Sequence, residues 1–231
     1  RDYLDVVQLH NRVISQRGGR NDALEGRELE IENVLGKDGV ADAFEEARSK
    51  GLVKSLGFTA YGDTDPLHQI IDSGRFDTVK VYHNLLNPSA EQPVSNGFYG
   101  QNFNLLINKA SKKDMGIIVI RALAGGALGG EGARQGLAKP SINGALVGGA
   151  EYDDDAARAK ILRSMVTSNK ESLPQMAIRF ALTSHLVSTV LVGFSNLAQI
   201  EEALVSSKRG RLNEDVMQQL RALWNSNFLS F

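Results

Sequence analysis

The segment Asp2-Tyr-Leu-Asp-Val-Val-Gln-Leu-His10 opens the chain with a short apolar run that is typical of a β-strand. Four further runs rich in β-branched residues follow it, and longer segments of helical period separate them. This alternation is the pattern of βαβ units and a parallel sheet, and it differs from that of a sandwich or a helix bundle. We therefore predict an α/β fold with about five strands, at Asp2–His10, Val53–Tyr61, Thr78–Leu85, Gly116–Leu123 and Thr189–Phe194.

Three helices are indicated by periodicity and by the residues at their ends. One should cover a face of the sheet and end at Gly51, because apolar residues recur at helical spacing at Val40, Ala43, Phe44 and Ala47. Pro174 suits the first turn of a second helix over residues 175–182. Asn213 is a suitable N-cap for a final helix, whose apolar face consists of Val216, Leu220, Leu223 and Trp224.

Two long stretches show no periodicity and are predicted to be loops. Residues 11–38 are polar and charged, whereas residues 125–150 are nearly all glycine, alanine and other small residues. Both stretches follow predicted strands, and in α/β barrels the loops after the strands form the active face. Long loops in a compact domain are either functional or disordered, so both are candidates for a functional face.

The composition excludes several classes of partner. The 231 residues carry a formal net charge of −1 without a basic stripe, so we expect neither a nucleic acid nor a membrane surface to bind. Cysteine is absent, which excludes disulfides and thiolate metal sites, and His68, His83 and His185 lack the spacing of metal ligands. No apolar run is long enough to cross a membrane, so we predict a soluble, cytoplasmic protein without a metal.

The start of the chain bears on its organisation. Arg1 is not a methionine, and a strand begins almost at once, whereas the termini of domains are normally frayed surface segments. We therefore expect residues 1–231 to form one domain from which N-terminal strands are missing. Parallel sheets rarely tolerate exposed edges, so either a second copy of the chain or further polypeptide should cover the two open edges.

Five motifs, taken in order, resemble those of the aldo-keto reductases. The first strand is similar to the family's fourth barrel strand, which ends in an active-site histidine, here His10. Gly51–Ala60 and Phe76–Asn87 resemble the fifth and sixth strands. Gly116–Leu128 resembles the seventh strand with its glycine loop, and Val187–Glu202 resembles the eighth strand with its cofactor helix.

The resemblance implies a (β/α)8 barrel of the TIM type, incomplete in this chain, that binds NADP(H) and transfers hydride to a small carbonyl substrate. His10 would orient the carbonyl group. The family's catalytic tyrosine, aspartate and lysine belong to strands that would lie upstream of Arg1. Hydride addition leaves negative charge on the carbonyl oxygen, which a positioned proton donor must meet. We therefore expect the chain by itself to be impaired as an enzyme.

The eighth-strand motif implies a site for the phosphates of the cofactor. A glycine that ends a strand, followed by a Ser-Asn turn into a helix, presents free N–H groups to an anion. By the resemblance, Gly193 and Ser195 lie beside the phosphate and Glu202 reaches the adenine. Gln199 stands where many members have an arginine for the 2′-phosphate. Because Gln199 carries no charge, NADP(H) is the expected cofactor and NAD(H) stays an alternative.

The resemblance also implies cofactor contacts at Thr59, Lys80, Arg121, Leu123 and Gly125. Thr59 matches a serine that holds the carboxamide, and Lys80 replaces a glutamine of that pocket; both are equally open to being ordinary strand residues. Arg121 replaces a tyrosine that stacks on the nicotinamide, and its charge would repel an oxidised ring. Gly125 would let the backbone approach a pyrophosphate, although a flexible linker is an equal alternative for the glycine pair.

Two functions are therefore open at the level of sequence. In the first, the chain belongs to an enzyme that uses NAD(P)H to reduce an aldehyde or ketone to an alcohol. In the second, it is a catalytically inactive barrel remnant that binds a nucleotide or a protein partner. The motifs mostly hold cofactor in this fold, so they do not name the carbonyl substrate.

Overall fold

The computed structural model describes residues 2–16, 28–129, 152–169 and 171–229. A short 3₁₀ turn at Ala124–Gly126 follows the sixth strand of this part of the chain. The strands within these ranges are β1 (Leu4–Leu9), β2 (Arg12–Ile14), β3 (Glu28–Glu30), β4 (Val53–Thr59), β5 (Thr78–Tyr82), β6 (Gly116–Ile120) and β7 (Thr189–Val190).

Helices connect most of these strands. None of the described helices is both long enough and apolar enough to cross a lipid bilayer. Their bounds are α1 (Ile31–Leu35), α2 (Val40–Ser49), α3 (Thr64–Ser73), α4 (Leu106–Lys112), α5 (Tyr152–Asn169), α6 (Leu173–Thr183), α7 (Leu197–Lys208) and α8 (Glu214–Asn225).

The main sheet contains five parallel strands in the order β1-β4-β5-β6-β7. Each crossover adds the next strand on the same side of the sheet, and β2 pairs with β3 in a separate two-stranded parallel sheet. The prediction of an α/β fold with a parallel sheet is confirmed, and a strand lies at each of the five predicted positions. Every strand is shorter than the apolar run that predicted it.

One face of the main sheet is covered by helices. Phe58 lies beside Val79 in the register of β4 and β5, and its ring packs edge-on against Phe76, 5.6 Å away between centroids. Phe76 in turn packs against Phe44 of α2. Apolar side chains of β6, α3 and α4 complete this core, among them Ile117, Val119, Leu67, Ile70, Ile71, Leu106 and Ile107.

The opposite face, called the open face below, carries the alternate side chains of the same strands. On β1 these include Leu4 and Val6, which are 51% and 42% exposed although both are apolar. Gln8 lies one step further along, and its Nε2 donates to Oγ1 of Thr78 at 3.2 Å, across Gly57. A Cβ at Gly57 would overlap both side chains. The open face therefore begins apolar and becomes polar towards the carboxyl ends of the strands.

A second apolar cluster lies beside the strand ends and is built from α5, α6, α8 and the segment after β5. Trp224 anchors it, because its Nε1 donates to the backbone carbonyl of Leu85 at 2.8 Å and its ring packs against Phe180. The predicted final helix is confirmed: the Asn213 side chain accepts from the Val216 N–H, and the predicted apolar face is buried. Pro174 lies in the first turn of α6, where Ser172 is the N-cap.

Two sequence predictions need correction. Residues 11–38 were predicted as one loop, but the described part contains β2, β3 and α1. Val13 is fully buried there and bonds to the segment after β4, a tertiary contact that leaves no periodic signal in so short a strand. On α2, Val40, Phe44 and Ala47 pack against the core as predicted, but Ala43 is exposed and Ala41 is buried instead. Residues 17–27 and 130–150 of the two predicted loops lie outside the described residues.

Gly62 allows the backbone of β2 to approach the segment after β4. The N–H of Val13 donates to the carbonyl of Tyr61 at 2.8 Å, and the carbonyl of Val13 accepts from the N–H of Asp63 at 2.8 Å. Gly62 has φ of 131° between these two bonds, and a Cβ there would overlap the backbone of Val13. Both the dihedral angle and the contact thus require glycine.

We expect Gly62→Ala to lower the free energy of unfolding by about 3 kcal/mol or more, because the strained φ and the backbone overlap act together. Urea-induced unfolding followed by circular dichroism measures the change. Gly51→Ala is the matched control, since Gly51 has φ of 72° but a Cβ there meets nothing within 4 Å. It should cost only about 1 kcal/mol. Equal losses in the two variants would show that the contact with Val13 is unimportant.

Candidate functional site

Three polar side chains lie side by side where β1, β4 and β5 end. His10 directly follows β1, and its Nδ1 is 3.0 Å from Oγ1 of Thr59 at the end of β4. Thr59 lies beside Lys80 in the register of β4 and β5. We call His10, Thr59 and Lys80 the polar row. Parallel strands bring their carboxyl ends to the same edge of a sheet, so residues 70 positions apart become neighbours within about 10 Å.

The members of the polar row differ in exposure. Thr59 is buried, Lys80 is half-buried and His10 is exposed. The Lys80 ammonium group forms no ion pair or hydrogen bond with any residue in the described part of the chain. Thr59 has His10 as its side-chain partner. The row therefore offers an imidazole and an unpaired cation to a ligand on the open face.

Arg121 adds a second cation at the end of β6. Its φ is 59°, and its backbone carbonyl accepts from Nδ2 of Asn84 at 3.0 Å, so the ends of β5 and β6 are tied together. Its guanidinium lies near the hydroxyl of Tyr82. Burial raises the pKa of Tyr82 above its ordinary value, and Arg121 offsets part of that rise. Tyr82 and Asn84 are not among the predicted site residues, and only their position at the end of a buried strand run could have indicated them.

The other two predicted residues of this region lie in the turn after β6. Gly125 has φ of 62° in the 3₁₀ turn, so it adopts the left-handed conformation that glycine favours. Leu123 packs against the second apolar cluster. The structure therefore gives Leu123 a packing contact with that cluster.

The predicted phosphate turn at β7 and α7 forms its own hydrogen bonds. The N–H of Ser195 donates to Oε1 of Gln199 at 2.7 Å, and the N–H of Gln199 donates to Oδ1 of Asn196 at 3.0 Å. Glu202 accepts a hydrogen bond from the hydroxyl of Ser172. A Cβ on Gly193 would meet no atom within 4 Å. Asn196 is thus the N-cap of α7, which was not predicted from the sequence. A bound anion would compete with the Gln199 side chain for the Ser195 amide.

The polar row and the phosphate turn occupy different parts of one sheet edge. In the strand order, β6 separates β5 from β7, and β1 lies at the far side of the sheet. With about 4.8 Å between neighbouring strands, His10 and the end of β7 are about 20 Å apart along the sheet. A compact ligand could reach only one of the two regions. An extended ligand could contact both.

His83 follows β5 but points away from the open face. It is fully buried, stacks on Phe180 with 4.8 Å between ring centroids, and places Nε2 3.3 Å from Oε2 of Glu91 without hydrogen-bond alignment. Burial alone would raise the pKa of the Glu91 carboxyl, but His83 and a hydrogen bond from Ser184 outweigh burial and lower it. Across the described residues, no cluster of three or more histidine or acidic side chains could hold a metal ion.

Comparison with known proteins agrees with this architecture. A sequence model of the aldo/keto reductase family matches residues 1–225. Solved structures of the aldo-keto reductase AKR11C1 from Bacillus halodurans, in holo and apo forms, superpose with TM-scores of 0.62 and 0.60 at 19% identity. They match 97% of this chain, and the chain spans 62% and 63% of their lengths. No curated protein sequence matches significantly. The fold is therefore of the (β/α)8 barrel type and incomplete, as predicted.

The lowered pKa of Glu91 predicts a specific acid sensitivity. A carboxyl whose pKa is lower in the folded than in the unfolded state stabilises the fold above its unfolded pKa, and this stabilisation is lost as the pH falls. We expect unfolding free energies measured from pH 6 to pH 3 to fall less steeply in Glu91→Gln than in the unmodified chain. Glu201→Gln, at an exposed position of α7, is the control and should keep the original slope. Identical slopes in all three proteins would contradict a stabilising role for Glu91.

Proposed function

The chain belongs to the aldo/keto reductase family, and we propose that it takes part in the NAD(P)H-dependent reduction of an aldehyde or ketone to an alcohol. The observation that supports the proposal most is the polar row, because it places an oriented imidazole and a cation at the carboxyl ends of neighbouring barrel strands. Active sites of (β/α)8 barrels lie at this end of the strands.

His10 is proposed to hold the carbonyl oxygen of the substrate. When the Thr59 hydroxyl donates to Nδ1, the imidazole carries its proton on Nε2, which is then free to donate to that oxygen. Negative charge grows on the oxygen as hydride reaches the carbonyl carbon, so this donor binds the transition state more strongly than the ground state. Thr59 would act as the positioning residue that selects the tautomer.

The described residues fit an extended reduced dinucleotide. The cofactor would supply the hydride. Lys80 on β5 and Arg121 after β6 provide cationic donors at the strand ends, and Arg121 also bonds the Tyr82 hydroxyl. About four strands from His10, the Ser195 amide could bind a phosphate if the phosphate displaced the Gln199 side chain. Gln199 brings no positive charge to the phosphate turn, so we propose binding of NADP(H) without a strong preference over NAD(H).

A second candidate function is binding without turnover, either of a nucleotide or of a second copy of this chain. Exposed apolar side chains at both outer strands of the sheet favour it. Val6 of β1 is 42% exposed, and Leu191 and Phe194, which follow β7, are 49% and 42% exposed. Apolar side chains in such rows mark surfaces that bind other polypeptide.

We expect His10→Ala to lower kcat for the reduction of a small aldehyde by about 100-fold, because one donor to the developing oxyanion is lost. The dissociation constant for NADPH should stay within about threefold, since His10 acts on the substrate. Turnover is followed by NADPH absorbance, and cofactor binding by energy transfer from Trp224, the single tryptophan.

His185→Ala is the control for this experiment, because His185 is exposed and lies outside the polar row. An unchanged kcat in His10→Ala would refute the proposed place of the carbonyl group. Saturable NADPH binding without turnover of any aldehyde or ketone in the unmodified chain would support the second candidate function.

Gln199 is neutral, so a positive charge introduced at this position should change the selectivity between NADPH and NADH. Gln199→Arg should strengthen NADPH binding relative to NADH binding by about tenfold, because a guanidinium pairs with the 2′-phosphate that only NADPH carries. Titration of both cofactors into both proteins gives the ratio of dissociation constants. A ratio that does not change would show that the 2′-phosphate lies elsewhere.

A further inference from the structure

Lys80 and Arg121 are unusual among the positive side chains of this fold. Six other half-buried cations lie within ion-pair distance of a carboxylate, namely Arg12, Arg75, Lys109, Arg158, Arg179 and Arg221. In the described part of the chain no carboxylate forms an ion pair with Lys80 or Arg121. Half-buried charges interact over longer range than exposed ones, because solvent screens them less. The open face is therefore positively charged at the end of its strands.

The proposed reaction places the nicotinamide ring in this field. Hydride passes directly between the ring and the carbonyl carbon, so the ring must lie in contact with the substrate. The carbonyl oxygen is held by His10, which shares the polar row with Lys80. Arg121 stands one strand further along, beside Tyr82 of the same strand as Lys80. His10 and Lys80 are two strands apart, about 10 Å, and Arg121 is one strand further. A ring that extends from the carbonyl group towards β6 therefore lies within about 10 Å of both cations.

The two redox states of the ring differ in charge. The oxidised nicotinamide carries a positive charge, whereas the reduced dihydronicotinamide is neutral. Lys80 and Arg121, which no described carboxylate neutralises, repel the oxidised ring and leave the neutral reduced ring unaffected. From this geometry we infer that Lys80 and Arg121 make the site bind the reduced dinucleotide more tightly than the oxidised one. The inference rests on the proposed function and specifies the favoured direction of the reaction. A site that binds the oxidised cofactor weakly favours reduction of the carbonyl compound.

The charge of Lys80 is the most direct variable to test. Calorimetric titration with NADPH and with NADP⁺ gives two dissociation constants for each protein, and their ratio reports the discrimination. We expect Lys80→Gln to bind NADP⁺ about tenfold more tightly than the unmodified chain while its NADPH affinity changes little. Lys80→Arg, which keeps the charge, should retain the original ratio. Arg121→Gln should shift the ratio in the same direction as Lys80→Gln.

Lys112→Gln is the matched control, because Lys112 is exposed in the last turn of α4, at the opposite end of the sheet, and loses the same charge. It should leave both dissociation constants unchanged. An unchanged ratio in Lys80→Gln, or an equal loss of affinity for both forms, would overturn the inference while leaving the proposed function intact. Failure of the unmodified chain to bind either form would refute the proposed function, and the inference with it. Loss of discrimination in Lys80→Arg as well would assign the effect to shape instead of charge.

Discussion

The parallel register of β1, β4 and β5 is the constraint on which the rest of the molecule depends. Leu9 lies beside Phe58 and Phe58 beside Val79. The next residues along these strands, His10, Thr59 and Lys80, therefore also lie side by side. One set of alternate side chains enters the core under the helices, and the other set forms the open face. A slip by one residue would bury His10 and Lys80 and expose Phe58, so the core that stabilises the sheet also holds the polar row in place.

The two faces of the sheet carry different roles. The covered face is closed by aromatic and aliphatic contacts from α2, α3 and α4, which supply the burial that stabilises the domain. The open face keeps exposed apolar residues at its start and polar groups at its end. Beside the strand ends, Trp224 and its hydrogen bond to Leu85 attach a second apolar cluster to the segment after β5. The site is therefore supported by packing on two sides.

Electrostatics distinguish the site from the remainder of the surface. Many cations elsewhere in the described residues pair with a carboxylate. Arg75, for example, contacts Asp42 and Glu45, and the pKa of Glu45 is lowered as a result. At the strand ends, Lys80 and Arg121 form no ion pair with any carboxylate among the residues that the structure describes. Uncompensated half-buried cations concentrate the positive electrostatic potential of the protein at the strand ends. A ligand with negative or neutral groups binds best there.

Much of the fold and several residues of the candidate site could be predicted from residue patterns. The features that could not be predicted depend on contacts between distant parts of the chain. Alternation of apolar runs with helical segments identified the α/β fold and all five strands of the main sheet. Single residues identified the start of α6 at Pro174 and the N-cap of α8 at Asn213, because these signals are local. The strands β2 and β3 were missed, since a strand of three residues has no period and depends on contacts with the distant Gly62. Motif order alone indicated His10, Thr59 and Lys80 as site residues. Only the tertiary structure could decide that His10 meets Thr59, that no described carboxylate pairs with Lys80 and that Gln199 occupies the Ser195 amide. Each of these depends on which strands and turns are adjacent in space.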